Sequence, residues 1–429
     1  MAEAWVRLPA VEPRTRKRNG LALALIALAA ASVTAAATLA TPRGASTYHK
    51  LADFARVLTH VERLHVDPVD GERLVTGAIH GMLRALDPHS SYMTAEDFRI
   101  VEDDTRGRFG GVGLEVGARD GALVVITPMP GTPAERAGLL SGDRIVAIEG
   151  DPTSEISIDE AVRRMRGAPG TEVRITVSRR DSPALFDVFL VREEIRVQSV
   201  AAELIEPGFP WIRVKSFQDG AAADARLAIE RLDREGGGLR GVLLDLRRNP
   251  GGLLEEAVRL ADLFLDSGVI VTTRGRGGGE ISRYEARSRG TLPRVPVVVL
   301  VDGASASAAE IVAGALQDRG RALVVGTPTF GKGSVQSLIP LGEGAGLKLT
   351  VARYHTPAGR SIEEDGIHPD VEVEPLSPAA QGEEDRSSES AGEWDPSRPS
   401  PADDHQLGTG FRILRDRALA EPRRSGASR

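Results

Sequence analysis

The sequence predicts an α/β layered fold with a largely parallel sheet, preceded by a β-rich module and a helical segment. Two runs carry the expectation, GVLLDLR at 241–247 and VPVVVLV at 295–301. Both are too short for helices and too continuously apolar for half-exposed strands, so each reads as a strand buried on both faces. Helix-period segments alternate with them, at Ala221–Asp233, Leu253–Leu265 and Ala306–Gln317. Such alternation implies crossover connections and a parallel sheet, whose ligands gather beyond the carboxyl ends of the strands. The turn RRNPGG and Ser307 both lie at such ends.

At 429 residues, 41% hydrophobic and 27% charged, the chain has room for two or three domains. A net charge of −7 argues against nucleic acid as a partner. The absence of cysteine removes thiol catalysis, disulfides and zinc–thiolate sites together.

Residues 1–19 form a basic segment with Arg14, Arg16, Lys17 and Arg18, and residues 20–41 contain the uncharged run Leu21–Ala40. As a helix that run spans a hydrocarbon core of roughly 30 Å. The basic flank stays cytoplasmic, so the rest is exported. This puts the protein in the cell envelope, on the periplasmic or extracytoplasmic face, anchored to the inner membrane. A cleaved signal peptide ending near Ala35–Ala37 is the rival reading.

Residues 45–106 read as helical, with Leu51, Phe54, Leu58, Val61 and Leu64 three or four apart and a second set at Leu74, Ala78, Met82 and Leu83. The phrase LDPHSSYM is a turn with Asx and serine capping chemistry, since His89 with Asp87 nearby defines no triad or metal set.

Residues 107–194 hold the strand candidates FGGVGLEV, ALVVIT, DRIVAIEG, EVRITVS and FDVFLV, with a short helix at Ile158–Met165. Their order, and the phrases GTPAERAGLLSGDRIVAIEG and RGAPGTEV, resemble a PDZ domain. The resemblance implies capture of an extended peptide by strand addition, its terminal carboxylate held by the amides of the loop Gly111, Val112, Gly113 and Leu114. Arg166 closes the helix, either as a partner of its dipole or as a residue coupling peptide binding to catalysis.

Residues 195–375 carry the chemistry. Ser307 stands at a helix mouth, where free backbone N–H groups stabilise developing negative charge. The pattern Ser307-x-x-Glu310 also spells a capping box, in which the serine only satisfies helix amides. A nucleophilic serine needs a base, and Lys332, between Gly331 and Gly333 and beside Phe330 and Val335, can serve if burial keeps it neutral.

The segments GASASAAEIVAGALQDRGRALVVGTPTFGKGSVQ, LLDLRRNPGGLL and GLKLTVARYHTPAGRSIEEDGIHPDVEV resemble the carboxyl-terminal processing, or tail-specific, serine protease family. The resemblance implies a layered crotonase/Clp-like protease core acting without cofactor or metal. It assigns Ser307 as nucleophile, Lys332 as general base and Gln336 as support for the lysine. The amides of Ala308 and of an NPGG glycine, Gly251 or Gly252, form the oxyanion hole. Ala309 stands where many members have a third serine, which leaves the nucleophile and the next amide intact. The implied partners are proteins with exposed C-termini, the membrane through the N-terminal segment, a second copy through the helical arm, and an adaptor lipoprotein.

Three rivals are weighed. GTPTFGKGS nearly spells a P-loop, but Gly333 replaces the magnesium-binding hydroxyl and SVQSLIPL alternates like a strand. Ser-His-Asp chemistry lacks a GxSxG elbow, and His355 is the nearest in sequence of eight histidines. A catalytically inactive PDZ scaffold is the third, opposed by the intact Ser307, Lys332 and Gln336. In the tail, 376–429, the Pro-, Ser- and acid-rich stretch Ser377–Asp404 is expected to be disordered, with a short helix at Phe411–Leu419.

Overall fold

The computed structural model describes residues 43–375 and 400–420, apart from positions 120, 181 and 183. The apolar run at 21–40 and the stretch 376–399 lie outside the described residues. The chain divides into two compact units between Tyr92 and Met93.

In the first unit, helices α1 (Arg43–Leu64) and α2 (Gly71–Arg84) follow the apolar spacing. The Asp70 carboxylate caps α2, accepting from the N–H groups of Glu72 and Arg73. In the following turn Asp87 accepts from the N–H groups of His89 and Ser90 and from the Ser90 hydroxyl. His89 contributes its backbone to that turn. Among the described residues no helix is long and apolar enough to cross a membrane.

The second unit opens with α3 (Ala95–Arg106), capped by Thr94. Strand β1 (Arg108–Gly111) begins a β-rich module made of β2 (Leu114–Arg119), β3 (Ala122–Pro128), β4 (Arg144–Ile148), α4 (Ile158–Met165), β5 (Glu172–Ser178) and β6 (Phe186–Val191). Strand β7 (Glu193–Arg196) pairs antiparallel with β1, so the chain enters and leaves the module side by side. Strand β5 buries alternate residues Val173, Ile175 and Val177, the period-two pattern of a sheet with one face on a core.

The remainder is the α/β core. Its strands are β8 (Val200–Glu206), β9 (Phe209–Val214), β10 (Val242–Asp245), β11 (Ser267–Arg274), β12 (Glu280–Arg287), β13 (Val297–Val301), β14 (Leu323–Gly326), β15 (Ser334–Pro340), β16 (Gly346–His355) and β17 (Val371–Glu372). Its helices are α5 (Ala221–Glu235), α6 (Leu254–Asp262), α7 (Ala308–Asp318) and α8 (His405–Ala420). The main sheet runs β8-β9-β10-β13-β14-β17, parallel throughout except for the β8–β9 pair.

The run VVVLV in β13 is buried on both faces. Val297, Val299 and Val301 join the cluster formed with α5, α6 and α7, whereas Val298 and Leu300 face Leu407, Phe411 and Leu414 of α8. Each such large side chain removed from water contributes about 1.5–3 kcal/mol. Helix α8 starts six residues ahead of the Phe411 expected from the pattern. Gly408 and Gly410 lower its helix propensity, and packing on the sheet overrides that.

The antiparallel pairing β15-β16-β11-β12 was not expected from the sequence. Strand β12, EISRYEAR, is half-exposed or exposed along its whole length and lacks the apolar alternation that reveals a strand.

Candidate active site

Neighbouring parallel strands β10, β13 and β14 end at the same edge of the sheet, and the loops that follow them are bonded to one another. The Ala306 N–H donates to the Asn249 carbonyl at 2.9 Å, the Ser305 hydroxyl to the Leu246 carbonyl at 2.9 Å, and the Arg248 N–H to Asp302 Oδ1 at 2.9 Å. Phe330 N–H donates to the Ser305 carbonyl at 3.0 Å, which brings the third loop in. Asn249 anchors its own turn: its Nδ2 donates to the Val214 carbonyl and its Oδ1 accepts the Gly251 N–H.

Ser307 sits where α7 begins, fully buried, at φ 55 and ψ −112. A non-glycine residue in that region costs of order 1–3 kcal/mol and persists only where its surroundings over-determine it. Its Oγ has no hydrogen-bond partner among the described residues. Of the capping-box pair, the bond present is the one from the Ser307 N–H to Glu310 Oε2, at 2.7 Å. The capping-box position is thus occupied, and the bond that holds it runs through Glu310.

The turn around Gly251 is pressed against this serine. A Cβ at Gly251 would lie 2.9 Å from the Ser307 Cβ and 3.2 Å from the Ala308 nitrogen, and its φ of 106° already excludes most side chains. A Cβ at Gly252 would lie 2.3 Å from the Phe217 carbonyl oxygen. The NPGG turn thus lies in direct contact with the first peptide of α7.

Glu310, within the apolar stretch AAEIVAGAL, is fully buried. Its Oε2 accepts the Lys332 N–H at 2.9 Å as well as that of Ser307, and its Oε1 accepts the Gly331 N–H at 2.7 Å and the Thr329 hydroxyl at 2.5 Å. Burial pushes its carboxyl above the ordinary range, and these hydrogen bonds pull part of the way back. Sequence reasoning took Glu310 only for a cap. The available signal was a lone carboxylate in a helix otherwise built from small and apolar residues.

Lys332 is buried, 9% exposed, and precedes β15. On that strand Gln336 is fully buried; its Nε2 donates to Thr350 Oγ1 at 2.8 Å, and its Oε1 has no partner among the described residues. Because a strand follows Lys332 where a phosphate-binding helix would be required, the P-loop reading fails. His355 lies at the end of β16, its Nδ1 3.3 Å from the Arg353 carbonyl. Among the described residues no group of His, Asp and Glu is placed to hold a metal ion.

In the module, the loop Gly111–Leu114 is braced by the Ala134 N–H on the Val112 carbonyl, at 3.0 Å, and by the Met129 N–H on the Gly113 carbonyl, at 2.9 Å. Arg166 leaves α4 in extended geometry, pairs with Asp104 of α3 at 2.9 Å and stacks 4.3 Å from the Phe109 ring centre. Its Nε and Nη1 are buried without partners among the described residues.

Three protein-family models match the chain. A model of peptidase family S41 matches residues 210–373, a PDZ domain model matches 124–179, and a model of the activating protease CtpB N-terminal domain matches 25–97. A carboxy-terminal-processing protease of Bartonella bacilliformis is 39% identical over 406 residues, covering 90% of this chain and 93% of that protein. A carboxyl-terminal-processing protease of Picosynechococcus sp. is 40% identical over 315 residues, 72% of this chain and 75% of that protein. The solved photosystem II D1 C-terminal processing protease is 30% identical, covering 75% of this chain and 92% of its own, with a TM-score of 0.48.

An α/β core matched as a peptidase, with a PDZ module ahead of it, defines a serine-type peptidase equipped to bind peptide. More particularly, the chain belongs to the carboxy-terminal-processing proteases of peptidase family S41.

Proposed function

We propose that this protein is an envelope endopeptidase that recognises exposed protein C-termini through its PDZ domain and cleaves nearby with a Ser307–Lys332 dyad. The observation that carries the reading is Ser307 itself: buried, held at φ 55, its hydroxyl without a bond among the described residues and its amide tied through one carboxylate to the amide of Lys332.

In this mechanism the neutral Lys332 amine takes the Ser307 proton and the alkoxide attacks the peptide carbonyl. The Ala308 N–H and an amide of the Gly251–Gly252 pair hold the oxyanion, each donor being worth about 3 kcal/mol in comparable sites. Protonated lysine then passes its proton to the leaving amine, and water activated by the same lysine hydrolyses the acyl-enzyme. Gln336 Oε1, without a partner among the described residues, is an acceptor that suits an amine donor and supports the lysine. Apo sites often hold catalytic hydrogen bonds open until substrate binds, consistent with the unpaired Ser307 Oγ.

Substrate capture falls to the loop Gly111–Leu114, and Arg166, bridging the module to α3 through Asp104, couples capture to catalysis. The basic flank and the run Leu21–Ala40 support export with the N-terminal segment at the inner membrane. Exposed Leu51, Val57 and Leu64 on α1 and Met82 on α2 suit pairing with a second copy, and an adaptor lipoprotein completes the set of partners.

The test is cleavage of a tagged peptide and of casein by the full chain beside Ser307→Ala and Lys332→Ala. Loss of turnover in both variants is expected. Equal cleavage by all three proteins would dispose of the dyad, and cleavage by none would favour an inactive scaffold.

A further inference from the structure

We propose that Glu310 is a positioning residue that sets nucleophile and base in one geometry by binding both of their backbone amides, an assignment that rests on the Ser307–Lys332 reading. The same oxygen, Oε2, accepts from Ser307 at 2.7 Å and from Lys332 at 2.9 Å. The two backbone nitrogens therefore lie no farther apart than the sum of those distances, although the residues follow different strands of the sheet. The second oxygen extends the hold along the lysine loop through Gly331 and Thr329, and the Thr329 Oγ1 in turn accepts the Ile367 N–H at 2.7 Å.

A helix cap alone does not account for this arrangement. Capping needs one acceptor for one or two helix amides, and most of the donors on Glu310 come from residues 329–332, outside its helix. A buried carboxylate is expensive unless it is fully hydrogen-bonded, and an apolar residue would pack a helix of this composition more cheaply. What the carboxylate supplies, and an apolar side chain cannot, is a pair of acceptors facing backbone donors from two loops. Glutamine has the same shape but turns one acceptor into a donor. Whichever way its amide sits, an N–H then opposes a backbone N–H.

The experiment measures kcat and KM on a tagged peptide, normalised to folded protein, for the full chain and for Glu310→Gln, Thr329→Val, Thr329→Ser and Ser307→Ala. Glu310→Gln is expected to lower kcat about a hundredfold with KM within about threefold, the signature of an interaction that counts in the transition state. Thr329→Val, which leaves the shared Oε2 contacts in place, should lower kcat about tenfold, and Thr329→Ser, which keeps the hydroxyl, should restore it. If Ser307→Ala remains active, the dyad reading itself fails. If Ser307→Ala is inert while Glu310→Gln keeps kcat within about threefold, or changes KM alone, the dyad stands and the positioning role is overturned. Should Glu310→Gln fail to fold, the Thr329 pair decides: wild-type kcat in Thr329→Val overturns the proposal.

Discussion

Glu310 and Arg166 are both charged groups drawn into the protein at a junction, and they are satisfied in opposite ways. Glu310 accepts from three backbone amides and a hydroxyl. Arg166 has an ion pair with half-exposed Asp104 and the face of Phe109, while two of its guanidinium nitrogens are buried without partners among the described residues. Buried polar groups left unpaired are uncommon, and each calls for a reason. The difference separates an over-determined edge, the proposed catalytic one, from an under-determined contact at the PDZ domain. A bound peptide can shift a population at the second far more cheaply than at the first.

The largest test of the rigid half is Gly251→Ala. Its Cβ would press on Ser307 and demand a φ of 106°, and a displacement of about 1 Å at a catalytic group can cost 10²-fold. A kcat loss on that order is expected; a variant with wild-type kcat would mean the edge gives way easily, and the contrast would collapse. Arg166→Ala probes the other half. Turnover of a protein substrate should change about tenfold, while a short peptide lacking the C-terminal anchor changes little. Equal effects on both substrates would assign Arg166 to structure alone.

Smaller still is Asp404→Asn. Asp404 pairs with Arg247 at 2.8 Å, and Arg247 also pairs with buried Asp245 at 2.7 Å, beside the NPGG turn. Loss of about 1 kcal/mol, read as a melting shift of about 2–4 °C, is expected with kcat unchanged. The same cluster sets an acid limit. Burial alone would raise the Asp245 carboxyl, but Arg247 and Arg213 hold it below its ordinary 3.8. A carboxyl depressed on folding contributes stability that is present above its unfolded value and lost as pH falls through the folded one. Melting temperature should therefore drop as pH falls below about 4, and more shallowly in Asp245→Asn.

Much of this organisation was legible in the sequence because its causes are local. VPVVVLV announces a strand covered on both sides, EVRITVS a strand covered on one, and NPGG a turn that approaches its neighbours without side chains. Ser307, Lys332 and Gln336 stood out as phrases. What the chain does not show locally is which donors meet which acceptors. Glu310 and the loop at 329–332 come together only after β13, α7 and β14 are in place, so the carboxylate passed for a helix cap. Strand β12 hid for a different reason, since its exposed sides carry no apolar rhythm.

Helix α8 closes the face of the main sheet opposite α5, α6 and α7, with Leu407, Phe411 and Leu414 against Trp211, Leu243 and Leu300. Without α8 that face would stand in water. The strands whose ends carry the three site loops are then only half sandwiched, and burial on both faces is what makes them rigid. Loss of α8 would therefore uncover Val298, Leu300 and Val325 and loosen the strands that present those loops.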